Sequence, residues 1–344
     1  MMGLWQRLFA REQLREPPAW VPLETATPAA QALAPIPSAA LTQTQLEDAF
    51  YRFVFGLSAC PENVLGAQEQ LALQRLDLLC GGNRYEVSGL PRMPSVLPQL
   101  LRALRNDQLS GAKLAELISR DPILVGEVMR ITGSVYYRTL KPITSLQHAV
   151  VLLGQEGLRH VVSLYVMKPI LLASGGMFGQ VAGQRLWDHA ERCAHAAVFL
   201  GKGLCDPFEA YLTGLVCHTG IGAVIRSLDI EFSDTFKTYS PPFVAGIVRI
   251  ANELTLQAAR YWELPGNVLD ALAECTDHAA NLPMSQILHA ADRAAMMQLL
   301  TEQRLLDPHT IVGTEHSERF SAQQLMRCQR ELERHFSAGD AHVS

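Results

Sequence analysis

Gly214-Leu215-Val216-Cys217-His218-Thr219-Gly220-Ile221-Gly222 sets a polar pair between two apolar, glycine-bearing segments. Upstream lies Leu186-Trp187-Asp188-His189-Ala190, and far downstream His289-Ala290-Ala291-Asp292. Helical spacing puts His189 on one helix, the polar pair at a helix junction and Asp292 on a later helix. That is the layout of a metal centre inside a helical core. A dinuclear centre of this kind needs adjacent His and Asp at the junction, because a carboxylate can bridge two metals. The junction reads Cys217-His218, or His218-Thr219 with a one-residue slip, and neither register supplies the carboxylate. The expectation is a hydrolase-like helical scaffold that does not hydrolyse.

Helix signals extend in both directions from this stretch. Pro207 to Val216 and Gly220 to Leu228 flank the junction, and Gln184 to Leu200 carries His189. Glycines at 175, 176 and 179 precede that helix. Further upstream, Ser145 to Leu153 closes at Gly154, and Glu156 to Ala173 is strongly apolar. Asp121-Pro122 is an N-cap followed by proline in the first turn, starting a helix over 123–131. Pro94 to Asn106 and Gly111 to Ser119 read as two more helices. Downstream, Pro242 to Leu264, Pro265 to Asp277, Pro283 to Leu300 and Ser321 to about Phe336 complete the set. Alternating strand patterns and fixed-period repeats are absent, so the class is all-α around one large core.

The first ninety residues divide three ways. Residues 1–16 can form a short amphipathic helix, with Leu4 and Leu8, and Trp5 and Phe9, one turn apart. It reads either as a weak membrane-surface or partner-docking helix or as a frayed terminus, since so short a helix is marginal alone. Residues 17–41 form a Pro/Ala-rich extended linker. Residues 42–89 form a helical hairpin, Thr42 to Phe55 and Asn63 to Cys80, stopped at Gly81-Gly82-Asn83. At the other end, residues 301–344 form a helical extension with a frayed tail.

Composition narrows the function classes. The 344 residues are 48% hydrophobic and 18% charged, which fits a globular chain and not a disordered one. A net charge of −5 and a pI near 6.1 argue weakly against a nucleic-acid binder, which usually carries a basic face, and leave a local basic patch open. The seven cysteines are scattered without a CxxC, as in reduced thiols of the cytoplasm. No apolar run is read as long and charge-free enough to span a membrane, and the N-terminus lacks secretory-signal features. A cytoplasmic location is expected.

An ordered series of motifs carries a family resemblance. It runs Met93-Pro94, Asp121-Pro122-Ile123-Leu124, Gly133-Ser134-Val135-Tyr136, Ile143-Thr144-Ser145-Leu146, Ala149-Val150 and Leu153-Gly154. It continues through Trp187-Asp188-His189, Thr213-Gly214-Leu215, Trp262-Glu263-Leu264-Pro265 and Ala291-Asp292. The series resembles the HDOD domain, the HD-related output domain of bacterial signalling proteins, over residues 90–300. The resemblance implies an all-helical domain, a bacterial source and a regulatory role without established catalysis. Partners are then other signalling proteins or a small ligand, and no cofactor is expected. The alternative is a metal-dependent phosphohydrolase acting on a nucleotide or cyclic dinucleotide through a divergent site.

Several positions depart from catalytically active HD relatives. Gly133 stands where the family often has Asn. Ala251 stands near an expected auxiliary histidine, and of an expected His-His pair only His278 is present. The Gly-Tyr-Pro motif of cyclic-di-GMP phosphodiesterases is absent. The vestigial site positions are His189, Cys217, His218, His278 and Asp292, with no catalytic residue and no metal expected. If a metal were held, its ligands would be His189, His218, His278 and Asp292, with Cys217 as a soft addition. The competing reading makes His189 and Asp292 hydrogen-bonded core residues. Gly220 and Gly222 read as glycines for close helix packing, and Met296-Met297 as core filling.

Overall fold

Ser240 opens one of the longest helices by accepting from the Phe243 amide, with prolines filling the first turn behind it. Similar punctuation recurs along the chain. Thr42 and Gln45 form a reciprocal capping box, Asp121 accepts from the Leu124 amide, and Asp206 accepts from the Glu209 amide ahead of Pro207. A computed structural model describes residues 41–57, 63–80, 103, 111–132, 143, 145–172, 179–231, 239–276, 280–310 and 319–337. The expected contacts at Leu4, Trp5, Leu8 and Phe9, nearly all of the linker, the Gly81-Gly82-Asn83 stop, the body of the helix at 94–106 and His278 lie outside these residues.

Twelve helices are described. They are α1 (Gln43–Phe55), α2 (Ala67–Cys80), α3 (Gly111–Ile118), α4 (Pro122–Thr132), α5 (Leu146–Leu172) and α6 (Gly179–Leu200). Then come α7 (Pro207–Val216), α8 (Thr219–Glu231), α9 (Pro241–Tyr261), α10 (Gly266–Thr276), α11 (Pro283–Glu302) and α12 (Ala322–Ser337). The fold is all-α, and the described residues contain no strand.

Boundaries follow local chemistry. At Gly154 the backbone turns to φ 63°, which a glycine adopts without Cβ strain, so α5 is two helices joined at a kink. α2 starts four residues later than the sequence pattern indicates, because the Glu69 carboxylate accepts from the Gly66 amide and fixes the first turn there. α6 starts five residues earlier than expected, at Gly179. α9 ends at Tyr261, after which Trp262 and Leu264 turn inward and are buried.

α6 lies at the centre, packed along α7 and α11, while α8 pairs with α9 and α4 with α5. α1 packs on α6, α9 and α11, and α2 on α9. The apolar run Pro207–Ile225 does have the length and composition to cross a membrane, contrary to the sequence expectation. It is 94% buried, and it breaks into two helices at Cys217-His218, so it serves as the core of the bundle.

Candidate functional site

Two glycines shape the junction. A Cβ at Gly214 would lie 2.7 Å from the Ala194 backbone, so its absence lets α7 close on α6. A Cβ at Gly220 would lie 1.9 Å from the Ala251 carbonyl oxygen, so α8 touches α9 backbone to backbone. The Gly220 amide donates to Thr255 Oγ1 at 2.9 Å, which anchors the start of α8. These close approaches point Cys217 and His218 into the space between α6, α11 and α1.

There His189, His218 and Asp292 converge. His218 Nε2 lies 2.8 Å and His189 Nε2 3.0 Å from the same oxygen, Asp292 Oδ1. The His189 Nε2 contact is poorly aligned for a hydrogen bond, and Nδ1 of this fully buried residue has no hydrogen-bond partner. An unmet buried polar group costs about 1–3 kcal/mol. His218 uses both nitrogens, since Nδ1 lies 3.2 Å from the Tyr51 hydroxyl. Phe50 completes the cover, its ring 4.6 Å from that of His189.

Electrostatics hold the pair charged. Burial opposes the ionised form of Asp292, yet the His218 charge and contacts from both imidazoles hold its carboxyl well below the usual range. Burial likewise opposes His218 protonation, but Cys217 and Asp292 raise its pKa well above that of a free imidazole. As an imidazolium, His218 donates Nε2–H to Asp292 and Nδ1–H to the Tyr51 oxygen.

The thiols form a second layer. Cys193 and Cys217 are buried with their sulfurs 3.9 Å apart. The hydrogen bond from Cys193 pulls the Cys217 thiol down to about 5 against the effect of burial, and the His218 charge adds to it. Burial, reinforced by the same contact, pushes Cys193 well above the thiol range. Cys275 and His289 sit nearby, Sγ to Nε2 3.7 Å. A cavity of about 60 Å³ opens here, lined by Glu47, Tyr51, Asn252 and Asp292 among others.

Of the sequence-derived positions, the fold brings His189, Cys217, His218 and Asp292 together; His278 is not described. Ala251, where an auxiliary histidine was expected, is fully buried, and its carbonyl faces Gly220. Sequence reasoning missed Phe50, Tyr51 and Cys193. Cys193 was findable, being four residues after His189 on one helix face. Phe50 and Tyr51 carried no signal beyond an apolar stripe.

A helical bundle with His189 on α6, a polar junction between α7 and α8 and Asp292 on α11 is HD-like in class. The HDOD domain profile matches residues 90–278, more than half of the chain, and the chain belongs to the HDOD domain family. By structure it is similar to an HDOD domain protein of unknown function from Geobacter sulfurreducens, with a TM-score of 0.52 and 19% identity, covering 81% of this chain and 97% of that one. It is also similar to a candidate metal-dependent phosphohydrolase of Shewanella amazonensis SB2B, with a TM-score of 0.50 and 15% identity, covering 78% and 100%. A candidate signal transduction protein of Marinobacter aquaeolei VT8 gives a TM-score of 0.50 and 18% identity, covering 81% and 65%. These likenesses show the fold. By sequence the chain is 24% identical over 198 residues to an uncharacterized protein of Treponema pallidum (strain Nichols). The match takes in 56% of this chain and only 33% of that relative.

The residues do not fit the bridged dinuclear centre of HD hydrolases. No carboxylate stands at 217 or 218, and Asp292 Oδ1 faces both histidines.

Proposed function

We propose that this HDOD protein is a non-catalytic regulatory component of bacterial signal transduction, working in the cytoplasm through other signalling proteins or a small ligand. The observation that carries the reading is the small volume of the pocket. A nucleotide-sized ligand takes a cleft of roughly 300 Å³ or more, whereas the space beside Asp292 is about 60 Å³, enough for a few waters. Phe50 packs on His189 and Tyr51 bonds His218, so two α1 side chains already contact the histidines. The missing bridging carboxylate supports the same conclusion. A larger cavity of about 450 Å³ lies between α6 and α12, lined in part by His195, Lys202, Glu331 and His335, and has the size for a small ligand.

The test is turnover of cyclic-di-GMP and generic phosphodiesters by the full chain with manganese, iron or zinc added. No turnover is expected. Turnover that disappears in both His189→Ala and Asp292→Ala overturns the reading in favour of a divergent phosphohydrolase.

A further inference from the structure

Two thiols face each other across the contact between α6 and α7. Cys193 is on α6, and Cys217 caps the end of α7. One turn before Cys217, Gly214 lets the α7 backbone close on α6, and a Cβ there would lie 2.7 Å from the Cys193 carbonyl oxygen. That close approach sets the two sulfurs 3.9 Å apart. A disulfide holds its sulfurs about 2.05 Å apart, so the pair must close by roughly 1.9 Å. A change of χ1 well moves a sulfur farther than that. The two thiols differ in access. Cys217 is 8% exposed and lines the cavity of about 60 Å³ beside Asp292, whereas Cys193 is fully buried behind it. Cys275 also lines the cavity, but its sulfur sits 3.7 Å from His289 Nε2. Space for a few waters admits hydrogen peroxide, which is little larger than water, and excludes a bulky oxidant such as a glutathione disulfide.

We propose that Cys193 and Cys217 are a reversible redox pair oxidised by hydrogen peroxide, with Cys217 reacting first and Cys193 as the resolving thiol. The Cys217 sulfur attacks one peroxide oxygen, the O–O bond breaks, and Cys217 becomes a sulfenic acid. The thiol proton leaves with the other oxygen as water. The Cys193 sulfur then attacks the Cys217 sulfur, the S–O bond breaks, and the hydroxyl departs as water with the Cys193 proton. In all, the two thiols lose two electrons and two protons, and one peroxide is reduced to two waters. A cellular dithiol restores both thiols by exchange. The reduced cysteines expected of a cytoplasmic chain are the resting form of this pair. Oxidation ties α6 to the end of α7 and removes the S–H that Cys217 donates to the Gly214 carbonyl oxygen at 3.2 Å. Because Cys217 adjoins His218, the change falls at the α7–α8 junction. The inference is independent of the regulatory reading: turnover tests that one, and a thiol map tests this one.

The experiment uses the full chain, reduced, freed of reductant and treated with hydrogen peroxide in the presence of chelator. Remaining thiols are alkylated in denaturant, and unreduced peptides are mapped by mass spectrometry. Peroxide is expected to remove the Cys193 and Cys217 thiols together, to join their peptides and to lower the mass by two hydrogens. A dithiol should then return both thiols. Cys193→Ser should stop Cys217 at the sulfenic acid, which a cyclic diketone reagent captures. Cys328→Ser, at a buried thiol on α12, should leave the Cys193–Cys217 link unchanged. Wild-type protein that keeps both thiols free under excess peroxide overturns the proposal, whether or not the serine variants fold. So does a disulfide that joins Cys217 to Cys275 instead, and so does a Cys193–Cys217 link that forms only in the urea-unfolded chain.

Discussion

Gly220 shows how strictly one position sets the junction. Its missing Cβ would fall 1.9 Å from the Ala251 carbonyl oxygen and 2.8 Å from Thr255 Oγ1. Backbone cannot yield as a flexible side chain does, so α8 and α9 must separate if any side chain is added. Gly220→Ala should therefore cost about 3 kcal/mol or more, at or above the upper end for overpacking. Gly126 on α4 has open space around its Cβ position, so Gly126→Ala should be neutral or stabilise by up to about 1 kcal/mol. Urea unfolding of the two variants checks the contrast. Equal effects would show that the contact at Gly220 does not constrain the fold. The packing role of this glycine was legible from its place beside the polar pair. The identity of its neighbour was not, since Ala251 is thirty-one residues away and only the α8–α9 crossing brings it there.

The helices themselves were the most legible level, because caps and prolines act locally. Thr42, Asp121, Asp206 and Ser240 each start a helix with a side-chain acceptor beside them in sequence. What α1 does was not legible: an apolar stripe specifies burial but not the partner. In the structure Phe50 is fully buried and packs on His189. Phe50→Ala should cost about 3–5 kcal/mol and also enlarge the cavity beside Asp292. Thermal unfolding gives the first effect. The second should appear as faster labelling of Cys217 by a small thiol reagent; unchanged labelling at matched stability would show that α1 is not the cover. α2 is tied to the bundle differently. Glu69 is buried and accepts from the Ser240 amide at 2.7 Å and its hydroxyl at 2.6 Å, bonding to the residue that caps α9. Glu69→Ala removes these two bonds and the one from the Gly66 amide, and with hydrogen bonds to charged groups worth about 1.5–3 kcal/mol each, a loss of about 3 kcal/mol or more in urea unfolding is expected. A loss below about 0.5 kcal/mol would mean that solvent replaces the carboxylate without penalty.

At the scale of the molecule, the folding unit is larger than the family segment. The HDOD match covers 90–278, yet Asp292 is on α11, and Phe50 and Tyr51 are on α1. α6 and α11 form the most extensive helix pair in the structure, and α11 buries Ile287, Leu288, Ala291, Ala295, Leu299 and Leu300. A chain cut to 90–278 would expose the α6 surface that α11 covers and leave His189 and His218 without their shared carboxylate. Burying an aliphatic side chain of Leu or Ile size contributes about 1.5–3 kcal/mol. Four such side chains on α11 alone therefore exceed the lower end of the net stability of about 5–15 kcal/mol expected for a domain. The cut chain should show helical far-ultraviolet circular dichroism with little near-ultraviolet signal and a broad urea transition, as when helices persist without fixed packing. A chain of 41–337 keeps both flanks and should unfold in one sharp transition. Sharp, cooperative unfolding of 90–278 at the same urea midpoint as 41–337 would show that the flanking helices only cover a domain already complete without them.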